Sequence, residues 1–536
     1  IGGKITWEAG IEIGSTDTFC TYNDSIAIGK SATTPFGNST VIGHSATTVG
    51  HSSFTAGAAA FGSEGSVVLG HMARSRGEFP DDPEDAWYNV VAGQYAYATQ
   101  SGGVVIGRNA GCRSSACIAM GIDSNIDVNA SHSISLGRQS AVIGSGSEAA
   151  IAIGSRSRAT ALHTIAIGGT NHFIAPGSEA SAPSCIAIGS GVDSTYRGAQ
   201  STFVGGIAIG SGTTSYGSVR GAFSSNIFAT AIGSGSQALG QYTNAIGWRA
   251  EAHNKNGIAI GTYSKTTGYD DIVIGRNAET FMFGVGYDRI AIGRRARVNG
   301  GYYGMAIGRR ATTVYSYGVA VGSFAESNGP KGIAIGSNAS TGNYNGITVI
   351  GYSCISNGVH SIAVGYNSNT LFTASKAITI GSDTLSHGNE AIVIGATAQS
   401  TITASKAIAI GSSAVITGNS SIAIGPNSST LGYSSIAMGE NSSANGTDTM
   451  ALGRLATAGF SGSIAIGTNI TTTAANGIFL QHRLDASLSS PAAWIGNELV
   501  DVASSQRFKQ NIRSLENVDE KFAQLRPVRF NAKPGY

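Results

Sequence analysis

Proline is scarce, at 10 of 536 residues, and charged residues amount to only 12%. No apolar run reaches the roughly eighteen residues that a membrane-spanning helix needs, so no membrane insertion is expected. Basic and acidic residues number 33 and 31, a net charge of +2, with neither sign gathered along the chain. A nucleic-acid partner is therefore not expected, since phosphate binding calls for a basic stripe. The five cysteines, Cys20, Cys112, Cys117, Cys185 and Cys354, are odd in number and scattered. They form no disulfide framework, and each is expected to pack as a small buried residue. The histidines are dispersed; His44 and His51 fall at equivalent positions and are expected to form a surface ladder, with no recurring acid or Cys to complete a metal site. Neither a metal nor a cofactor is expected. The chain opens at Ile1 with no visible signal peptide, as expected of a piece or a processed product of a longer protein.

What the chain has in abundance is glycine, 76 residues, and a returning Ile-Ala-Ile-Gly. The closing glycines run Gly233, Gly247, Gly261, Gly275 and, later, Gly411, Gly425, Gly439, Gly453, Gly467, fourteen apart without a slip. So short a period means a stacked repeat, because one unit cannot bury an apolar face alone. A second glycine often sits at the midpoint, as at Gly418, Gly432 and Gly446. A heptad coiled coil is excluded, since each such glycine would cost a helix about 1 kcal/mol. Collagen is excluded by the lack of a third-position glycine.

The class expected is all-β, a parallel β-roll or solenoid with two short strands per fourteen-residue coil. Each half-coil reads as an extended run followed by a polar corner whose glycine takes a positive φ. Side chains alternate along a strand. Ile422 and Ile424 are expected to fill the interior, with Ala423 on the outer face where a second chain can come close. About thirty coils at ~4.8 Å each give a length on the order of 140 Å.

Residues 1–10 read as a lead-in and 11–477 as the roll, with a loop insertion at about 73–91 that contains Asp81, Asp82, Glu84 and Asp85. Loops held on a rigid scaffold carry recognition, and aromatics supply contact area at low entropic cost. The receptor-contact candidates are accordingly Trp87 and Tyr88, then Phe281, Phe283 and Tyr287, and Tyr302 and Tyr303. Residues 478–503 form a connector. Beyond it Asn517 can cap a short helix ended by Pro527, giving an α-containing C-terminal segment.

The blocks Ser25-Ile-Ala-Ile-Gly29, Ser361-Ile-Ala-Val-Gly365, Ser421-Ile-Ala-Ile-Gly425 and Ser435-Ile-Ala-Met-Gly439 resemble the repeat of YadA-like heads in trimeric autotransporter adhesins. That resemblance implies a left-handed parallel β-roll and a homotrimer packed through inner sheets. The stretch Ser504-Ser-Gln-Arg-Phe-Lys509, followed by Leu525-Arg-Pro-Val-Arg-Phe530, is similar to the start of the S74 peptidase family, intramolecular chaperones of phage and viral fibres and spikes. By that resemblance residues 504–536 open such a domain, Ser504 is its nucleophile and Lys509 the general base; many members have Asp where this chain has Ser505.

Together these resemblances imply a homotrimeric viral or phage tail fibre or spike at the virion surface. It would bind a glycan or protein receptor of the host and other virion components, and its C-terminal chaperone would cleave itself once. No turnover enzyme is expected. The alternatives are a trimeric adhesin of the bacterial cell surface and, further off, a glycan-degrading spike.

Overall fold

The structure, a computed structural model, describes residues 10–480 apart from 16, 23, 77–85, 145, 171–176, 194, 196, 215–218 and 282–285. It also gives the backbone of the strands Gly2–Thr6, Ala492–Ile495 and Glu498–Asp501. Ser504, Lys509, Phe283, the acids of the insertion and the expected C-terminal helix lie outside the described residues.

The chain winds as an all-β parallel solenoid. Each coil contributes a strand of three residues to one long sheet and a strand of two residues to a second sheet facing it. The first sheet has 32 strands and the second 29 among the described residues. Successive coils stack in strict register: Ile422, Ala423 and Ile424 lie beside Ile436, Ala437 and Met438, and Ser429 and Thr430 beside Ser443 and Ala444. At its start the roll does not expose a bare sheet edge, because Gly2–Thr6 pairs antiparallel with Gly10–Gly14.

The turns explain the repeat. After strand Ile422–Ile424 the chain passes Gly425 at φ 129° and then Asn427 at φ 54°; before strand Ile436–Met438 it passes Ser434 at φ 53°. The left-handed residue of a corner is thus usually a non-glycine, often Asn, Ser or Asp, polar types that tolerate this conformation well; Gly65, Gly205, Gly346 and Gly462 are exceptions. The midpoint glycine does a different job from the one expected of it. A Cβ on Gly432 would run into the carbonyl of Gly446 in the next coil, so glycine here permits close stacking and does not supply the positive φ.

The two strand faces are the reverse of the expectation. Ala423 and its counterparts Ala437, Ala451 and Ala465 are fully buried inside the roll, while Ile422 and Ile424 point outward. The sheets are close enough that the interior takes mostly small side chains, such as Ser428, Thr430, Ser435 and Ser442, all at 0% exposure, with Ile126, Ile347, Ile416 and Arg289 as the larger exceptions. Several interior hydroxyls answer the turn carbonyls: Ser421 Oγ donates to Gly432 O at 2.8 Å, Ser442 Oγ to Gly439 O at 2.9 Å and Thr449 Oγ1 to Gly446 O at 2.8 Å, whereas those of Ser428 and Thr430 have no partner. A buried carbonyl left without such a donor would cost free energy, so the Ser/Thr content follows from the narrow interior.

Cys112 and Cys117 also differ from the expectation. Both are buried, as expected, but they face each other across one coil with Cα atoms 6.4 Å apart and are joined as a disulfide. Cys20, Cys185 and Cys354 are buried and free. Burial pushes the thiols of Cys20 and Cys354 above the usual range. His51 does not ladder with His44; it packs edge-on against Tyr22 and Phe36.

Candidate functional site

With alanine inside, the three-residue strands turn two apolar side chains per coil to the outside. Ile106, Ile274, Ile335, Ile350 and Ile466 are each close to 40% exposed, and Met438 is more so. Parallel register sets these side chains in two largely apolar rows along the roll, the first interrupted at Thr40, Thr230, Asn244 and Thr348. The outward residues of the two-residue strands are of another kind: Thr33, Arg158, Glu179, Gln200, Gln237, Glu251, Lys265, Glu279, Arg297 and Ser443 all take this position. One face of the roll is therefore predominantly apolar, broken at Thr40, Thr230, Asn244 and Thr348, and the other predominantly polar, with Phe61, Phe223, Ile355, Leu385 and Val415 among its exceptions. An exposed apolar surface longer than a few hundred Å² marks a contact with another molecule.

The polar face carries an alternating charge ladder. Glu251 lies beside Lys265, Lys265 beside Glu279 and Glu279 beside Arg297. Lys265 Nζ reaches Glu251 Oε2 at 2.7 Å and Arg297 Nε reaches Glu279 Oε1 at 2.7 Å. His253 Nε2 sits 2.9 Å from Glu251 Oε2. That hydrogen bond, with Lys265 adding to it, holds the Glu251 carboxyl down at about 2. Two clefts of roughly 430 and 440 Å³ meet over this ladder and share Arg249 and Glu251. Gln200, Phe223 and Gln237 line the first; Tyr263, Lys265 and Glu279 line the second.

The expected contact residues fall mainly on the corner that precedes each three-residue strand. Trp87 and Tyr88 are 41% and 69% exposed; they are drawn into the coil stack, where Tyr88 N donates to Glu64 O and Trp87 O accepts from Gly102 N. Tyr287, Tyr302 and Tyr303 are exposed on the same kind of corner further along, where Tyr287 stacks on Tyr302 and Tyr303 is tilted to it, whereas Phe281 is exposed just after a two-residue strand. Two features were overlooked in the sequence. The acid–base alternation at 251, 265 and 279 was legible as one column of the fourteen-residue repeat. So was the arginine content of the other corner, at Arg276, Arg294, Arg295, Arg309 and Arg310. Charge dispersed along the chain is gathered in space.

A model described as the YadA head domain repeat (2 copies) matches residues 23–46, 145–170, 224–250, 252–278, 316–339, 348–375, 417–442 and 444–469. No curated protein matches the chain. Among solved structures, the collagen-binding domain of the Yersinia adhesin YadA is similar at 25% identity, covering 29% of this chain and 68% of that one with a TM-score of 0.21. Over those eight segments the chain carries YadA head domain repeats, wound here as a parallel β-solenoid.

Proposed function

We propose that the chain is the rod-shaped head of a homotrimeric surface adhesin, displayed outside the cell and contacting a glycan or protein of a host surface. The observation that carries this reading is the division of the roll into a predominantly apolar face of Ile-x-Ile rows and a predominantly polar one. Three rolls packed on a common axis through their Ile-x-Ile rows would bury the apolar face and leave the polar ladders and corners to solvent. The head repeats support an adhesive, structural role over an enzymatic one. Light scattering on the full chain tests the assembly: a trimer is the expected state, and a monodisperse monomer removes the proposal. Binding of the trimer to host cells, with Trp87→Ala/Tyr88→Ala and Tyr302→Ala/Tyr303→Ala as separate variants, tests the contact residues.

A second reading, a virion fibre with a self-cleaving C-terminal chaperone, is favoured by the Ser504 to Lys509 and Leu525 to Phe530 stretches alone. Its test is mass spectrometry of the expressed chain. Loss of cleavage at residue 504 in both Ser504→Ala and Lys509→Ala supports it, and unchanged processing in both rejects it.

A further inference from the structure

Ile-x-Ile rows are nearly the same in every coil, so two rolls packed through them can slide by one coil at little cost. Something that does not repeat must fix the stagger. The coils between Tyr269 and Phe324 contain such a feature on each of their two edges.

On the edge that follows the three-residue strands, Arg276, Arg294, Arg295, Arg309 and Arg310 are all exposed. Backbone bonds stack them directly: Arg295 N donates to Arg276 O at 2.9 Å and Arg310 N to Arg294 O at 3.0 Å. The corners 275–278, 293–296, 308–311 and 322–325 contain no acid, so the five cations crowd one another across adjacent coils. On the opposite edge of the same coils stand Tyr269, Asp270, Tyr287, Asp288, Tyr302, Tyr303 and Tyr317. Their rings stack, with centroids 5.3 Å apart for Tyr269 and Tyr287, 5.8 Å for Tyr287 and Tyr302, and 5.2 Å for Tyr303 and Tyr317. With both faces of Tyr287 covered, this ladder presents ring edges, phenol oxygens and the two carboxylates.

The arrangement rests on the trimer proposed above, and symmetry does the rest. In a ring of three parallel rolls that turn the same sheet to the axis, one edge of each roll meets the opposite edge of its neighbour at the same height. We propose that the arginine edge of one protomer docks on the tyrosine–aspartate edge of the next, and that this seam, made three times, sets the axial register of the trimer. The chemistry already occurs within the chain: Arg249 Nη1 donates to Tyr263 Oη at 3.3 Å, and the Arg309 guanidinium lies 4.4 Å from the Phe324 ring centroid. Across the seam, guanidinium groups bond phenol oxygens and the carboxylates of Asp270 and Asp288, and the ring edges cover the arginine stems.

The test uses the full chain with paired cysteines. Arg295→Cys with Tyr303→Cys joins the two edges in register, and Arg295→Cys with Asn256→Cys joins them three coils out of register. Mild oxidation is expected to give covalent trimers on a denaturing gel for the first pair and little for the second. Reversal of the other four arginines (Arg276→Glu, Arg294→Glu, Arg309→Glu, Arg310→Glu) is read with the same two cysteine pairs. It is expected to abolish the preference for the in-register pair, and adding Asp270→Arg and Asp288→Arg to restore it. Equal cross-linking of both pairs in a protein that light scattering finds trimeric overturns the seam and leaves the trimer standing. A monomer overturns both. A four-arginine reversal that keeps register but loses retention on dextran sulfate overturns the seam as well, and makes the ridge a site for an anionic polymer.

Discussion

Asp271 and Arg289 occupy the same place in successive coils and meet as a two-pronged ion pair sealed inside the roll. Arg289 Nη2 donates to Asp271 Oδ2 at 2.7 Å and Nε to Oδ1 at 3.0 Å, with both side chains at 0% exposure. Thr280 Oγ1 and the amide of Gly268 also donate to Asp271 Oδ2, and Arg289 Nη1 donates to Gly300 O. Room for the guanidinium comes from Gly268 and Gly286, where a Cβ would meet it at 2.6 and 2.7 Å. Removing one partner leaves a buried charge unpaired, which costs about 3–5 kcal/mol, whereas removing both costs much less. Asp271→Ser is therefore expected to lower the thermal midpoint sharply, and Asp271→Ser with Arg289→Met to recover most of it. A double variant no better than the single one refutes this account of the pair.

The reversed strand faces separate two kinds of damage. Ala423→Leu overpacks the interior, at a cost of about 1–3 kcal/mol or more where the sheets cannot part, and should disturb the coil itself. Ile424→Asp puts a charge on the outer apolar row; the coil should keep its circular-dichroism spectrum while self-association weakens in light scattering. The opposite pairing of effects would return the isoleucines to the inside.

Close stacking of corners predicts unequal tolerance of a single methyl group. Gly432→Ala places Cβ against the carbonyl of Gly446, while at Gly459 nothing lies within 4 Å of the position a Cβ would take. Gly432→Ala should reduce stability and Gly459→Ala should leave it nearly unchanged, as read from the two melting curves. Similar midpoints for both would mean that the coils yield more readily than the stacking implies.

Acid should weaken the charge ladder in a defined window. The Glu251 carboxyl is held at about 2 against an ordinary 4.5, chiefly by its hydrogen bond with His253. A depressed carboxyl stabilises the fold fully above its ordinary value and loses that contribution as pH falls through the folded value. The advantage of the native chain over Glu251→Gln should be constant above about 4.5 and vanish towards about 2. A gap that does not narrow across that window contradicts the assignment.

Gly411, Gly425, Gly439 and Gly453, fourteen apart, were enough to establish from the sequence the stacked repeat, the parallel strands and the two strands per coil. A period of two also places Ile422 and Ile424 on one side and Ala423 on the other. Which side is inside is not contained in that alternation. It depends on the separation of the two sheets, set by corners in which Asn427 and Ser434 turn left-handed over three residues. At that separation most interior positions take Ala, Ser, Thr, Val or Cys, with Ile126, Ile347, Ile416 and the Asp271–Arg289 pair as the larger exceptions, so most of the large apolar residues stand outside, where they can meet another molecule. The pairing of Asp271 with Arg289 was hidden for a related reason: an insertion lies between them, and only coiling brings column neighbours together. The sequence by itself determined the repeat and the residues of each column. The tertiary structure decided which columns face inward and which face one another, because those are distances between coils and no single coil contains them.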